Sequence, residues 1–369
     1  MQSACTYTQF KVQYESILMK RKITIIGAGM MGSALAFPAA ENGNEVHIVG
    51  TCLDDEIIDG YIKTRTHEKF GRPFPENVQF HYFKDWQEVT EGSDFVIGGV
   101  SSFGVDWFLE EILTKLDPSV PVLSVTKGLR ATEDGTLMSY PGFWEAELAK
   151  RGIRREICAI GGPCTSYELV FMDPSEVAFC GKDPQVLRMM KEAMQRPYYH
   201  ISLTDDVIGL ESAVALKNAY AMAVTLAVGL NIRWHGEDEP QHYNSQAGTF
   251  TQAVRETHAL MLLQGGTFES ECVGLGDLYV TIFSGRTRRC GVLMGKGLDY
   301  DQVTEALAGI TLESLVITRV MGNAIRRKAE LGMVDLKDFP LLMHIVDILD
   351  NGKADADLPW EAFTYEHFR

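Results

Sequence analysis

Three patterns predict an α/β fold, in which a Rossmann-type doubly wound sheet is followed by an all-helical domain. Up to about residue 200, short apolar runs rich in β-formers alternate with helical or loop segments; KITIIG, EVHIVG, DFVIGGV, PVLSVTKG, EICAIGG and EVAFCG are the runs. Strands that are apolar throughout belong to parallel sheets covered by helices on both faces. A G-x-G-x-x-G stretch, Gly27-Ala28-Gly29-Met30-Met31-Gly32, follows the first run and precedes a helical segment over Ser33–Asn42. After Asp205 the strands stop, and helical stretches over 210–230, 246–264, 301–308, 311–331 and 338–350 are joined by glycine-rich turns. The expected division is an N-terminal extension over 1–20, a dinucleotide-binding domain over 21–203 and a helical substrate and catalytic domain over 204–369.

The elements follow in chain order. Residues 1–20 show no periodicity and precede the first strand, Lys22–Ile26; Met19 is an alternative start. In the glycine stretch, the first glycine allows a tight turn, the second lets backbone approach a diphosphate, and the third lets helix pack on strand. The N–H groups that open the following helix then face an anion, so Gly27, Gly29, Met30, Met31 and Gly32 are the expected cofactor contacts. The second strand ends in Gly50-Thr51-Cys52, with no carboxylate for a ribose and no arginine for a 2′-phosphate, so NAD and NADP both stay open. Asp54 and Asp55, slightly further on, read as solvated helix-cap residues. Another helical or loop segment spans Trp107–Lys115.

Composition sets limits on function. The chain has 369 residues, 46% of them hydrophobic, enough to bury two cores. Its formal charge of -16 argues against nucleic acid or an anionic membrane as a partner. Seven scattered cysteines without C-x-x-C spacing fit a reducing, cytoplasmic setting, not a disulfide framework or zinc site. The apolar stretch Ala213–Ile232 carries Lys217 and Asn218 near its start, so it reads as a buried core helix with no stable membrane insertion. His235 and His242 lie in a polar segment, NIRWHGEDEPQHY, with no third ligand at sensible spacing, so no metal is expected.

Lys217 stands in an otherwise apolar helix, where burial lowers a lysine's pKa toward neutrality and makes it a usable proton donor. The alternatives are a lysine reaching the surface or one paired with Glu211. Lys127 ends a parallel strand, where such sheets place ligands. Asp277, in the glycine-flanked stretch GLGDL, is expected to orient Lys217 or a substrate hydroxyl, or else to cap the next helix. Arg286, Arg288 and Arg289 form a cationic knot in an acidic chain, suited to phosphate or to a solvated turn.

In the order glycine fingerprint, T-K-G, G-P, D-x-I-G-x-E…L-K-N, G-L-G-D-L, G-R-x-R-R-x-G, residues 21–350 resemble the NAD(P)-dependent glycerol-3-phosphate dehydrogenases. The resemblance implies hydride transfer between NAD(P)H and dihydroxyacetone phosphate or sn-glycerol 3-phosphate, with Lys217 as general acid/base and Lys127 and Asp277 beside it. It implies a small phosphorylated substrate at Gly162, Asn218, Thr281, Arg286 and Thr287. For the NAD or NADP cofactor it adds Lys127, Ser166, Arg286 and Glu313 to the glycine stretch. It further implies a cytoplasmic homodimer in carbohydrate and glycerophospholipid metabolism. The chain departs from the family at Arg286-Thr287 (Arg-Asn there), Cys164-Thr165-Ser166 after the Gly-Pro, and Glu313-Ser314 (Glu-Gly there). The rival readings are a dehydrogenase for a 3-hydroxyacid or a longer polyol phosphate, and a silent nicotinamide-binding sensor. Adjacency of Lys217 and Asn218 favours the glycerol-phosphate type, because the hydroxyacid enzymes hold their Lys and Asn a helical turn apart.

Overall fold

The computed structural model describes residues 20–310, 312–352 and 357–366. The expected extension lies outside the described residues apart from Lys20. The chain divides into two compact units. The first takes the described residues up to Thr126, then Trp144–Ile160 and Cys164–Asp205; the second takes Lys127–Phe143, Gly161–Pro163 and the residues from Asp206 onward. Two short stretches of the expected 21–203 domain, including Lys127, therefore cluster with the helical unit.

The first unit is built on strands β1 (Lys22–Ile26), β2 (Glu45–Val49), β3 (Val78–His81), β4 (Phe95–Gly98), β5 (Val122–Ser124), β8 (Ile157–Gly161), β9 (Ser175–Cys180) and β10 (Tyr199–Thr204). They form one eight-stranded sheet in the order β10-β9-β8-β5-β4-β1-β2-β3. The registers from β8 to β3, and that of β9 with β10, are parallel. The central strands β1, β4 and β8 are buried almost throughout, which explains their unbroken apolar sequences. Chain order reverses between β1 and β4, and ligands of open α/β sheets bind beside the carboxyl ends of strands at such a switch. The segment over Trp107–Lys115, expected as helix or loop, is helical: an α-turn, Val105–Phe108, continued by a π-turn, Leu109–Leu113.

β3 and β10 escape the sequence reading for one reason. Each forms an edge of the sheet with part of its length exposed, so each alternates or mixes polar and apolar residues instead of running apolar throughout.

The second unit opens with Lys127 and an antiparallel hairpin of β6 (Leu129–Ala131) and β7 (Leu137–Ser139). Its core is the 29-residue helix Val207–His235. By length and apolarity that helix would pass as a membrane span, yet 89% of its apolar window is buried inside the protein. The helices Tyr243–Gln264, Phe268–Phe283, Gly285–Gly295, Glu313–Glu330 and Pro340–Asn351 surround it. The glycine-flanked segment GLGDL around Asp277, expected as a loop, lies inside the helix Phe268–Phe283, and the arginine-rich stretch after it belongs to the helix Gly285–Gly295. Gly274 and Gly276 are there for closeness and do not break the first of them. A Cβ on Gly274 would stand 3.0 Å from the Ala213 carbonyl carbon, and one on Gly276 would stand 3.2 Å from Pro163.

The same device brings Gly285–Gly295 onto the core helix. A Cβ on Gly295 would collide with Leu226 O, stand 2.7 Å from Leu230 N and 2.8 Å from the Gly229 Cα. These are backbone atoms, which cannot swing aside as a side chain does. Gly295→Ala is therefore expected to lower stability by about 1–3 kcal/mol, read as a denaturant midpoint. An unchanged midpoint would show that the two helices can part without cost.

Candidate active site

The glycine stretch joins β1 to the helix Met30–Glu41. Gly27 has φ +110°, a conformation open to glycine, and a Cβ there would lie 2.6 Å from Gly99 O. A Cβ on Gly32 would lie 2.6 Å from Gly27 O. Gly29 differs, because its Cβ would meet nothing nearer than Gly99 O at 3.8 Å. Gly29 is the N-cap of a helix whose first turn, with Met30 and Met31, holds no acidic residue and receives no side-chain cap. This end of the helix is thus left with open N–H donors, as a diphosphate requires.

Two neighbours of the loop carry signals that the sequence reading passed over. Asp54, read as solvated, accepts hydrogen bonds from Ala28 N at 3.2 Å and from Thr51 N and Oγ1 at 2.8 Å each, tying the end of β2 to the loop. Gly99, in the Gly98-Gly99 pair ending β4, supplies the carbonyl against which Gly27 packs. The doubled glycine at a strand end was the available clue. Ser166 is the first residue of a five-residue helix capped by Thr165.

In the helical unit, three charged side chains meet. Lys217 comes from the core helix, Asp277 from the interior of Phe268–Phe283, and Lys127 from the segment after β5. Lys127 Nζ lies 2.6 Å from Asp277 Oδ2, and Lys217 Nζ pairs with Asp277 Oδ1. The Asp277 side chain is only 3% exposed, against 12% for Lys217 and 23% for Lys127. Asp277 is therefore neither a loop residue nor a helix cap, and Lys217 pairs with it and not with Glu211. Burial pulls the Lys217 pKa down to about 8, against the counter-pull of Asp277; the charge of Lys127 adds to the fall. A lysine so poised can give up and regain a proton close to neutrality.

The next helix begins within reach of the same stretch of core helix. Thr287 Oγ1 lies 3.5 Å from Asn218 Oδ1. Thr287 and Arg286 occupy the first turn of Gly285–Gly295, which has no side-chain cap at Ser284. Arg286 is half-exposed, with Glu313 Oε2 3.8 Å from its Nη2. The cationic knot is looser than its sequence suggests, since Arg288 turns back to donate to Ile282 O at 2.7 Å. Thr281 Oγ1 donates to Asp277 O at 2.7 Å, a bond along its own helix. Gly162, with φ +130°, precedes Pro163, which packs on Gly276 one residue before Asp277. The His235 and His242 rings lie 4.2 Å apart, tilted by 46°, and among the described residues no group of three or more His, Cys, Asp or Glu is placed to hold a metal.

Two family models match the chain: the NAD-dependent glycerol-3-phosphate dehydrogenase N-terminus over residues 22–187 and its C-terminus over 206–359. An NADP(+)-dependent glycerol-3-phosphate dehydrogenase of Archaeoglobus fulgidus is 33% identical over 287 residues, which is 77% of this chain and 83% of the relative. A glycerol-3-phosphate dehydrogenase [NAD(P)+] of Bacillus pumilus is 28% identical over 81% of this chain and 83% of its own. Among solved structures, the glycerol-3-phosphate dehydrogenase of Plasmodium falciparum superposes with a TM-score of 0.78 at 20% identity, covering 98% of this chain and 99% of that one. At that identity the likeness speaks for the fold.

The geometry of the glycine loop yields a clean experiment. Since a methyl at Gly29 meets no clash within the protein, Gly29→Ala is expected to leave the melting temperature nearly unchanged. It should weaken NAD(P)H binding about tenfold or more, because the methyl stands where the diphosphate approaches. Wild-type affinity in a fluorescence titration would remove the loop from the binding site.

Proposed function

Because the chain belongs to the NAD-dependent glycerol-3-phosphate dehydrogenase family, we propose that its two-lysine, one-aspartate cluster is the catalytic centre for interconverting dihydroxyacetone phosphate and sn-glycerol 3-phosphate. The observation that carries this reading is Asp277 accepting from both Lys217 and Lys127 in a nearly buried position. Held at the glycine stretch Gly27–Gly32, the nicotinamide cofactor, NAD or NADP, would supply or take the hydride at the substrate's central carbon. Lys217 gives its proton to the ketone oxygen as that oxygen gains negative charge. Lys127 offers a second positive charge to the same oxygen, and Asp277 holds both ammonium groups in place.

The phosphate is assigned to Arg286, Thr287 and the open N–H groups at the start of Gly285–Gly295. A helix N-terminus of that kind attracts anions, and a guanidinium adds paired hydrogen bonds. Asn218, beside Thr287 and adjacent in sequence to Lys217, links the phosphate end of the substrate to the proton donor. Anchoring a remote phosphate orients the carbonyl before reaction. Gly162 and Thr281 are assigned to the substrate's surroundings, and Gly27, Gly29, Met30, Met31, Gly32, Ser166 and Glu313 to the cofactor's. The cytoplasm and a homodimer complete the proposal. Cys52, Cys158, Cys272 and Cys290 are free thiols, as a reducing compartment keeps them. Leu262 and Leu263, at the end of Tyr243–Gln264, and Phe268, at the start of the next helix, are exposed apolar side chains available to a second subunit.

Lys217→Ala is expected to lower kcat and kcat/KM together by about a hundred- to ten-thousandfold while NAD(P)H still binds. A variant keeping a third of the activity would acquit Lys217. The sign of the pH dependence follows from its state. Ketone reduction needs the ammonium, so its rate falls as pH rises through about 8; alcohol oxidation needs the amine and rises over the same range.

Arg286→Ala should raise KM for dihydroxyacetone phosphate about tenfold or more. The non-phosphorylated ketone, with nothing to place there, should respond far less. Equal penalties on both ketones, with cofactor affinity measured alongside, would refute the phosphate assignment.

A further inference from the structure

Glu211 is a titratable group with no part in that mechanism. The residue is 1% exposed, and among the described residues neither carboxylate oxygen has a hydrogen-bond partner. An ionised carboxylate so placed is costly, and unpartnered buried polar groups persist where something other than stability keeps them.

Its position relates it to the site. Glu211 lies on the core helix seven residues before Asn218, a spacing that returns to the same face about 10 Å along the axis. Lys217, six residues on, lies about 9 Å further along the axis and about a third of a turn round from Glu211, with its side chain tilted back toward the N-terminal end of the helix. Phe268–Phe283 presses on this stretch where Gly274 meets Ala213, one turn before Asp277. Charged groups at the start of the core helix and on Phe268–Phe283 have partners of their own. Asp206 accepts from Gly209 N, Thr267 N and Ser270 Oγ, and Glu271 pairs with His258. The charge that acts on Glu211 is that of Lys127, from the segment after β5, which attracts its anionic form; Lys127 is in turn tied to Lys217 through the shared carboxylate of Asp277.

We propose that Glu211 is a positioning residue that sets the protonation of the Lys127–Asp277–Lys217 cluster, neutral while ketone reduction runs and ionised when alkaline solvent draws protons from the lysines. The inference rests on the reading of Lys217 as the proton donor. Burial pushes the Glu211 carboxyl up to about 8, against the pull of Lys127. Near pH 7 it is therefore an uncharged acid. Two ammonium groups then share the single charge of Asp277, and the surplus positive charge receives the developing alkoxide. Above that range Glu211 becomes a carboxylate, raises the proton affinity of both lysines and delays their loss of protons.

The test compares the wild type with Glu211→Gln and Glu211→Leu, two neutral replacements of different polarity, in two readouts. In the pH profile of kcat/KM for dihydroxyacetone phosphate reduction, both variants should lose activity at lower pH than the wild type, by about half a unit or more. In thermal melts, a carboxyl raised from 4.5 to about 8 stabilises the fold fully below the lower value and loses that contribution as pH rises through the upper one. The melting temperature of the wild type relative to Glu211→Gln should therefore fall between pH 5 and pH 8. Support requires both results. Coincident alkaline limbs overturn the proposal even if the melts diverge, for Glu211 then titrates without governing the lysines. Parallel melts overturn it from the other side, since Glu211 then does not titrate in this range. If the wild type reduces no ketone at any pH, the functional reading fails by itself, and the melts still decide whether Glu211 carries a proton at neutrality.

Discussion

Two ammonium groups bonded to one nearly buried carboxylate form the interaction around which the helical unit is arranged. Asp277 offers one oxygen to Lys127 and the other to Lys217. Breaking a buried ion pair by removing one partner typically costs about 3–5 kcal/mol, because the remaining charge is stranded. The arrangement is thus demanding, and the surrounding backbone shows how it is met. The helix carrying Asp277 reaches the core helix through Gly274, and Pro163 packs on the same helix at Gly276. The hairpin segment that opens with Lys127 leaves the sheet-based unit to cluster with the helices. Three separate stretches of chain converge on one carboxylate.

Glycine therefore has two distinct roles in this protein. At Gly27 it supplies a backbone conformation and a tight approach to another strand's carbonyl. In Phe268–Phe283 and Gly285–Gly295 it lies inside helices, where it costs up to about 1 kcal/mol relative to alanine. The compensation is distance. Removing a Cβ lets a helix lie against a neighbour's backbone, and short charged contacts such as Lys217–Asp277 need that approach.

The same fact explains which parts of the molecule were legible in the sequence. Strands buried on both faces are written as unbroken apolar runs, so β1, β4 and β8 could be read directly, as could the strand–glycine–helix context of the fingerprint. The edge strands β3 and β10 could not, since water on one side dilutes the signal. Lys217 was conspicuous because a cation in an apolar helix is improbable without a purpose. Asp277 was noticed but misplaced, because glycines beside it read as a loop when their function is helix–helix contact. Asp54 and Glu211 were legible only in three dimensions. Nothing local distinguishes a carboxylate bound to a loop amide, or one buried without partners, from a solvated acid or a lysine's counter-ion.

Charge ties these observations together. A chain with a formal charge of -16 repels a phosphorylated substrate at long range, so attraction must be local and short-ranged. In the proposed site, Arg286 and an uncapped helix N-terminus would supply it at one place, and two lysines against one aspartate at another. Glu313, 3.8 Å from Arg286, gives the guanidinium a partial counter-charge and a preferred direction. A surplus cation paired too well would bind no anion, and one left wholly unpaired would be costly to hold in place. Lys127, Lys217 and Arg286 each therefore have an acidic neighbour that restrains the charge without cancelling it. Glu211 extends the rule inward: as a neutral acid it leaves the lysines' surplus charge intact, and as an anion it would remove it.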